Sequence, residues 1–251
     1  MKPEVRRILA ELRDKGSPER RVSMQRAGIN VDHAFGVSVP DLRKAAVRLG
    51  PNHRLAVALW ATGNHEARLL ACFVDDPAEV TEKQMEAWAK DFDSWDICDQ
   101  ATTSLFDQTD HAWAKAAEWA KRDQEWIKRG GFALMAGLAV HDKSATDGAF
   151  RKLFAVIERG ATDERNFVKK AVNWALRNIG KRNLALNAAA IACAERIRDK
   201  ANQGAGSDAS ARAARWVASD ALRELESEKV VARVKAKGRG RRGPMHGASM
   251  R

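Results

Sequence analysis

One pattern repeated along the chain constrains its fold more than any other feature. Apolar residues recur at helical spacing, broken at short intervals by Gly, Pro, Asn or Asp, with almost no β-branched alternation. Residues 2–14 read as an amphipathic helix ended by Gly16, and Ser17-Pro18 opens a second, Pro18 being suited to a first turn. A loop over 34–43 leads into a third helix that stops at Gly50. Further helices are predicted over 51–62 and 65–74. Thr81 and Gln84 have capping-box spacing for a helix through Lys90. Beyond it come helices opening at 93–95 and over 111–121, 124–140, 147–159, 163–179, 182–200 and 208–226, with residues 204–207 as a flexible turn. The expected fold is all-α: a curved superhelical array of antiparallel helix pairs over residues 1–227, with a degenerate repeat. A closed bundle is the other all-α option. It leaves unexplained why Trp and basic residues recur away from the apolar faces.

Those off-face residues centre on Asp93-Ser94-Trp95-Asp96-Ile97-Cys98-Asp99, which opens a helix with Asp93 or Ser94 as N-cap. Ile97, Cys98, Ala101 and Leu105 share its apolar side, while Trp95, Asp99 and Thr103 share the opposite one. A large aromatic and a carboxylate thus sit one turn apart on the face that is not core. In Phe167-Val168-Lys169-Lys170-Ala171-Val172-Asn173-Trp174-Ala175-Leu176-Arg177 the anomaly recurs. There Val168, Val172, Ala175, Leu176 and Ile179 form the apolar arc, and Lys170, Trp174, Arg177 and Lys181 the other. An off-face Trp packs on a neighbouring helix or serves a site; the pattern alone leaves both open.

A third helix is informative. In Trp126-Ile127-Lys128-Arg129-Gly130-Gly131-Phe132-Ala133-Leu134-Met135, Arg129 lies away from the apolar arc, beside a strip of Gly130, Ala133 and Gly137. Glycine inside a helix costs about 1 kcal/mol against Ala, so the strip signals close approach of either a helix or a phosphate backbone.

A chain of 251 residues can bury a sizeable core, and its formal net charge of +11 favours a polyanionic partner, with nucleic acid ahead of a membrane surface. No segment has the length and apolarity of a membrane span, so a cytoplasmic, nucleoid-associated monomer is expected. Cys72, Cys98 and Cys193 are widely spaced in apolar helical patterns and read as buried thiols. The six histidines form no HxxxH or HExxH pair, and neither a metal site nor a cofactor is expected. Residues 238–243 match GxGxxG, but no strand precedes them, so a dinucleotide site is rejected. The basic tail over 228–251 shows no helical periodicity and is expected to be disordered, either simply solvated or adding sequence-independent phosphate attraction.

Taken together, these residues resemble the DNA alkylation repair glycosylases built from HEAT-like repeats, the AlkD family, from about Phe35 to Ile197. Residues 35–43 look like that family's early loop, and Leu59-Trp60 with His65-Glu66-Ala67-Arg68 like its next helix pair. Residues 94–99 resemble its Trp-x-x-x-Asp site, Trp126-Ile127-Lys128-Arg129 its arginine-bearing helix, and residues 167–177 its second tryptophan helix. Lys128 departs from the second Arg that many members carry there.

The resemblance implies a monofunctional glycosylase that hydrolyses the N-glycosidic bond of cationic alkylated purines, such as N7-methylguanine and N3-methyladenine, in double-stranded DNA. Asp99 would be the catalytic carboxylate, Trp95 and Trp174 would flank the deoxyribose, and Arg129 would hold the nearby phosphate. Lys128, Lys170, Arg177, Lys181 and Arg182 would contact the DNA backbone. It also implies action through the sugar and backbone, without a deep pocket for a flipped base. A non-catalytic HEAT-repeat protein that recognises duplex shape or damage is the alternative, because some members bind DNA without cleaving it.

Overall fold

The computed structural model describes residues 2–204 and 208–240. Helices occupy most of them, and no strand occurs among the described residues. The chain divides into two compact units, Met1–Asp142 and Lys143–Arg251.

The first unit holds α1 (Pro3–Asp14), α2 (Pro18–Arg26), α3 (Val39–Leu49), α4 (His53–Trp60), α5 (His65–Val74), α6 (Glu82–Lys90), α7 (Trp95–Ser104), α8 (Ala112–Trp119) and α9 (Glu125–His141), with a 3-10 turn at Phe106–Gln108. Local chemistry sets these bounds. Ser17, Ser38, Asn52, Asn64 and Thr81 each accept a hydrogen bond from a backbone N–H in the first turn they precede. Gly50 ends α3 with φ 70°, a left-handed conformation that favours glycine. Ser94, one of the two residues expected there, is the N-cap of α7, although its side chain makes no capping bond. Its hydroxyl instead donates to Asp93 (3.0 Å) and accepts from the Asn30 N–H (3.3 Å), joining α7 to the segment after α2.

The core of this unit is aromatic. Trp60 and Trp88 stack with centroids 4.0 Å apart and planes 5° apart. Phe92, Phe106 and Trp119 continue the cluster edge-on. Two indole N–H groups of the cluster find carboxylates: Trp60 donates to Asp91 at 2.8 Å and Trp119 to Glu86 at 2.7 Å. The central helix is α9, packed against α6, α7 and α8. Residues 129–139 are all buried, so the helix has no wide solvent face there. Its glycines make room for protein. A Cβ on Gly131 would lie 2.3 Å from the Ala120 backbone nitrogen, and one on Gly130 would lie 3.3 Å from Trp119. One on Gly137 would lie 2.5 Å from the Asp107 carboxylate. Of the two explanations left open for the small-residue strip, helix packing accounts for it.

The second unit holds α10 (Asp147–Gly160), α11 (Asn166–Gly180), α12 (Leu184–Asn202), α13 (Asp208–Leu225) and α14 (Glu228–Gly240). α10, α11 and α12 pack on one another, α13 packs on α11 and α12, and α14 rests on α12 and α13. Gly180 lets the end of α11 press against Leu225 and Ala190, where a Cβ would sit 2.6 and 2.9 Å from side-chain carbons. α14 corrects the expectation of a disordered tail from residue 228. Its i, i+4 pair Val230 and Val234 is buried, and Ser227 accepts from the Val230 N–H at 3.4 Å. That apolar pair is short enough to be masked by the Lys and Arg around it. Residues 205–207 of the expected turn and 241–251 of the tail, including half of the GxGxxG match, lie outside the described residues. The three cysteines are buried free thiols.

Gly131→Ala should destabilise the protein by about 1–3 kcal/mol, because the added methyl meets backbone that cannot yield. Gly148→Ala, where a Cβ would make ordinary contact 3.7 Å from Thr146, should be neutral or stabilising. Urea unfolding of the two variants beside wild type measures both; equal effects would show that α9 does not need the close approach to α8.

Candidate functional site

In the first unit the site is built on the start of α7. Trp95 and Asp99 lie one turn apart and both are half-buried, as the helical face requires. The Trp95 indole N–H donates to the Ala27 carbonyl at 3.0 Å, which fixes the ring against the end of α2. Asp99 receives a bidentate pair from Arg129 on α9: Nε to Oδ1 at 2.9 Å and Nη2 to Oδ2 at 2.7 Å. Both side chains are largely buried, at 14% and 7% exposed. Burial pushes the Asp99 carboxyl above its ordinary range, the nearby Asp96 adds to that push, and Arg129 opposes it. Arg cannot give up its proton, and a neutral Asp99 would leave a buried guanidinium uncompensated, so the pair is ionic. The resemblance implies a phosphate partner for Arg129; in the structure its guanidinium engages the Asp99 carboxylate. Lys128, its neighbour in sequence, is half-buried.

A second acid of α7 pairs with a histidine. Asp96 is buried in the first turn of α7, where the helix dipole favours a carboxylate, and its Oδ2 lies 2.9 Å from His65 Nε2. Burial alone would lower the His65 value; the Asp96 hydrogen bond and charge, with Glu66 and Asp93 nearby, outweigh it and raise it. The next residue, Glu66, is fully buried and accepts the backbone N–H groups of Phe35 (2.8 Å), Gly36 (2.6 Å) and Val37 (3.2 Å). One carboxylate thereby fastens the early loop to α5.

In the second unit Trp174 is half-buried on α11, and its indole N–H makes no hydrogen bond among the described residues. Lys170, one turn earlier, is exposed. Arg177 pairs with Glu224 and lies 3.7 Å from Asp220, both on α13. Lys181 shares Glu224 at 2.9 Å. Arg182 covers the Phe150 ring at 4.2 Å and donates to the Ala145 carbonyl at 3.3 Å. Neither of the two indoles singled out by sequence is sealed in a core. The structure groups Trp95, Asp99, Arg129 and Lys128 in the first unit, and Trp174, Lys170, Arg177, Lys181 and Arg182 in the second.

The family model for the DNA alkylation repair enzyme matches residues 8–225, most of the chain. This protein belongs to that family. A solved structure described as a new family of proteins related to the HEAT-like repeat DNA glycosylases, with affinity for branched DNA structures, matches with a TM-score of 0.69. It covers 76% of this chain and 82% of that one at 19% identity, which establishes the all-helical HEAT-like fold. The uncharacterized protein Lin0241 of Listeria innocua is 28% identical over 103 residues, 40% of this chain. The chain spans about half the length of that relative, 46% of it. No helix among the described residues is long and apolar enough to cross a membrane.

Within the stretch that matches the family, His65 and Glu66 have roles that sequence alone does not assign: His65 holds Asp96, and Glu66 holds the loop. A charged residue inside an apolar helical pattern is the available signal, since Glu66 sits among Ala67, Leu69 and Leu70. His65 gives a test. A histidine whose folded value is raised stabilises the fold fully below its ordinary value of 6.5, and that stability is lost as pH rises through the folded value. The stability difference between wild type and His65→Asn, from urea unfolding between about pH 6 and about pH 9, should therefore shrink as pH rises. A difference independent of pH would show that folding does not raise the His65 value, and one that grows with pH would show a histidine held neutral in the folded state.

Proposed function

We propose that this protein is a monofunctional DNA glycosylase that releases cationic alkylated purines, such as N7-methylguanine and N3-methyladenine, from duplex DNA. The observation that carries this reading is the Asp99 carboxylate. It is held ionic and fixed in orientation by Arg129, one turn from the half-buried indole of Trp95. Alkylation puts a positive charge on the purine, which then leaves as a neutral base and needs little protonation. Charge develops on the sugar as an oxocarbenium ion. A preorganised carboxylate stabilises that cation and orients water, as in glycoside hydrolysis. An indole face adds about 0.5–2 kcal/mol of cation–π stabilisation. Trp95 supplies such a face one turn from Asp99. In this reading Arg129 keeps the carboxylate charged and aimed, and Lys128, Lys170, Arg177, Lys181 and Arg182 attract backbone phosphates, so affinity falls with salt. The protein acts alone on DNA in the cytoplasm, beside the nucleoid.

A second reading rests on the same pair. Both Asp99 oxygens are engaged by Arg129, which suits a carboxylate that holds two helices together. The solved relative has affinity for branched DNA structures. A protein that recognises DNA shape without cleaving it fits both facts.

Base release separates the two. Asp99→Asn keeps the shape of the side chain and should lower release of N7-methylguanine from methylated duplex by about 10²–10³-fold while leaving duplex affinity within a few-fold. Wild type that binds duplex and releases no base would establish the shape-binding reading. Release and binding lost together, with a lowered unfolding midpoint, would assign Asp99 to structure alone.

A further inference from the structure

Trp216 on α13 is the one exposed aromatic residue among those described, at 39%. A lone exposed aliphatic residue needs no explanation. An indole is a larger apolar surface to leave in water, and the Trp216 N–H makes no hydrogen bond among the described residues. Contacts between α11 and α13 fix where the ring stands. The Lys169 ammonium on α11 lies over it, 5.6 Å from the ring centroid. At the next residue of α13, the buried Asn173 amide donates to the Val217 carbonyl at 3.0 Å, which locks the register of the two helices. One turn on, Arg177 lies 3.7 Å from Asp220. The acids of this helix pair face other partners: Glu164 accepts from Ser210 at 2.9 Å, and Glu224 serves Arg177 and Lys181. Lys169 makes no ion pair among the described residues. Lys170 lies about 100° round α11 from Lys169, so the ring adjoins the face that carries Lys170 and Trp174. A flat apolar surface and a lone positive charge thus stand side by side, held in place before any ligand arrives. A nucleotide complements both, with its base and its phosphate.

We propose that Trp216 is a stacking platform for an unpaired base of DNA, and that Lys169 holds a phosphate of the same strand. The inference rests on the DNA-binding part of the function proposed above and not on its chemistry. DNA is the occupant because the chain belongs to a DNA repair family, whose match includes both residues. An intact duplex keeps its base faces inside the stack and offers this ring nothing; a strand with unpaired bases offers them at every nucleotide, whatever the sequence. A protein partner fits less well. No other large apolar residue of α11 or α13 is exposed among the described residues, so the ring is not part of a patch of the kind that docks a protein.

The test titrates the full chain with three unmodified DNAs: a blunt duplex, the same duplex extended by a short single-stranded overhang, and that overhang with abasic sites in place of its bases. The two overhangs carry the same phosphates, so the difference between them reads stacking alone. Wild type should bind the overhang with bases about tenfold more tightly than the abasic one. Trp216→Ala should abolish that difference and leave affinity for the blunt duplex unchanged, which also shows that the variant is folded. Trp216→Phe should keep most of the difference, and it carries the test if circular dichroism shows that Trp216→Ala loses helix. Lys169→Gln should weaken binding to both overhangs several-fold and lower the slope of log affinity against log salt by about 0.7, the value for one phosphate on a single strand. Equal affinity of wild type for the two overhangs would overturn the inference. So would a Trp216→Ala loss that is the same for blunt duplex and overhang, or self-association abolished by Trp216→Ala with the preference for bases intact. Base release does not enter the measurement. A chain that stacks unpaired bases on Trp216 but releases no alkylated base would leave the inference standing and overturn the glycosylase, and a chain that releases the base but ignores the overhang would do the reverse.

Discussion

The bidentate pair between Asp99 on α7 and Arg129 on α9 decides what the first unit can offer a ligand. Removing either partner of such a buried pair costs about 3–5 kcal/mol, because the other charge is left uncompensated. The pair forms only if α9 can approach α7 and α8 closely, and the two residues after Arg129 permit that. Gly130 faces Trp119, Phe92 and the Cys98 sulfur, and Gly131 faces the backbone at Ala120. Cys98 in turn donates to the Trp126 carbonyl at 3.4 Å, one residue before Asp99 and three before Arg129. The glycines are thus part of the electrostatics: they set the depth at which a guanidinium meets a carboxylate.

A second carboxylate three residues earlier makes the arrangement tighter. Asp96 raises the cost of charging Asp99, and each acid has its own basic partner, His65 for Asp96 and Arg129 for Asp99. The start of α7 adds its dipole to Asp96. With Trp95 tied to Ala27 and Ser94 bonded to Asn30, the four residues 94–96 and 99 are held by three segments: the stretch after α2, α5 and α9. A carboxylate so constrained does not have to reorganise when positive charge appears beside it, which is the property electrostatic catalysis requires. The same constraint would serve a rigid binding surface equally well, which is why turnover and not geometry separates the two readings.

The helices are legible in the sequence because their stops are local: Ser17, Asn52, Asn64 and Thr81 cap, and Gly50 turns left-handed. The accessible positions of Trp95 and Trp174 are legible too, since a helical face is a matter of angle. What an angle cannot tell is whether the space beside a face holds water or another helix. Arg129 projects away from the apolar arc of α9, which by itself suggests a surface open to phosphate; the space is filled by α7 and its acid. Arg177 and Lys181 project correctly, yet α13 brings Glu224 to meet them from more than 40 residues away, a pairing no local pattern carries. In α14 the discrepancy runs the other way: two buried valines are outweighed in the sequence by the cations that flank them.

The pairing of Arg177 and Lys181 with Glu224 changes how the charge of +11 should be understood. These two cations already share a carboxylate, so a phosphate that reaches them must compete with Glu224, and the gain is the difference between two similar attractions. Lys170 is exposed and makes no ion pair among the described residues, so its gain is screened by water and salt but opposed by nothing. On the function proposed, the two kinds of cation would do different work. Lone ones on the surface would raise encounter rates and set the salt dependence. Paired ones, held in place beforehand, would lose less side-chain freedom when a phosphate arrives, and would therefore fix where the backbone lies more than how tightly it is held.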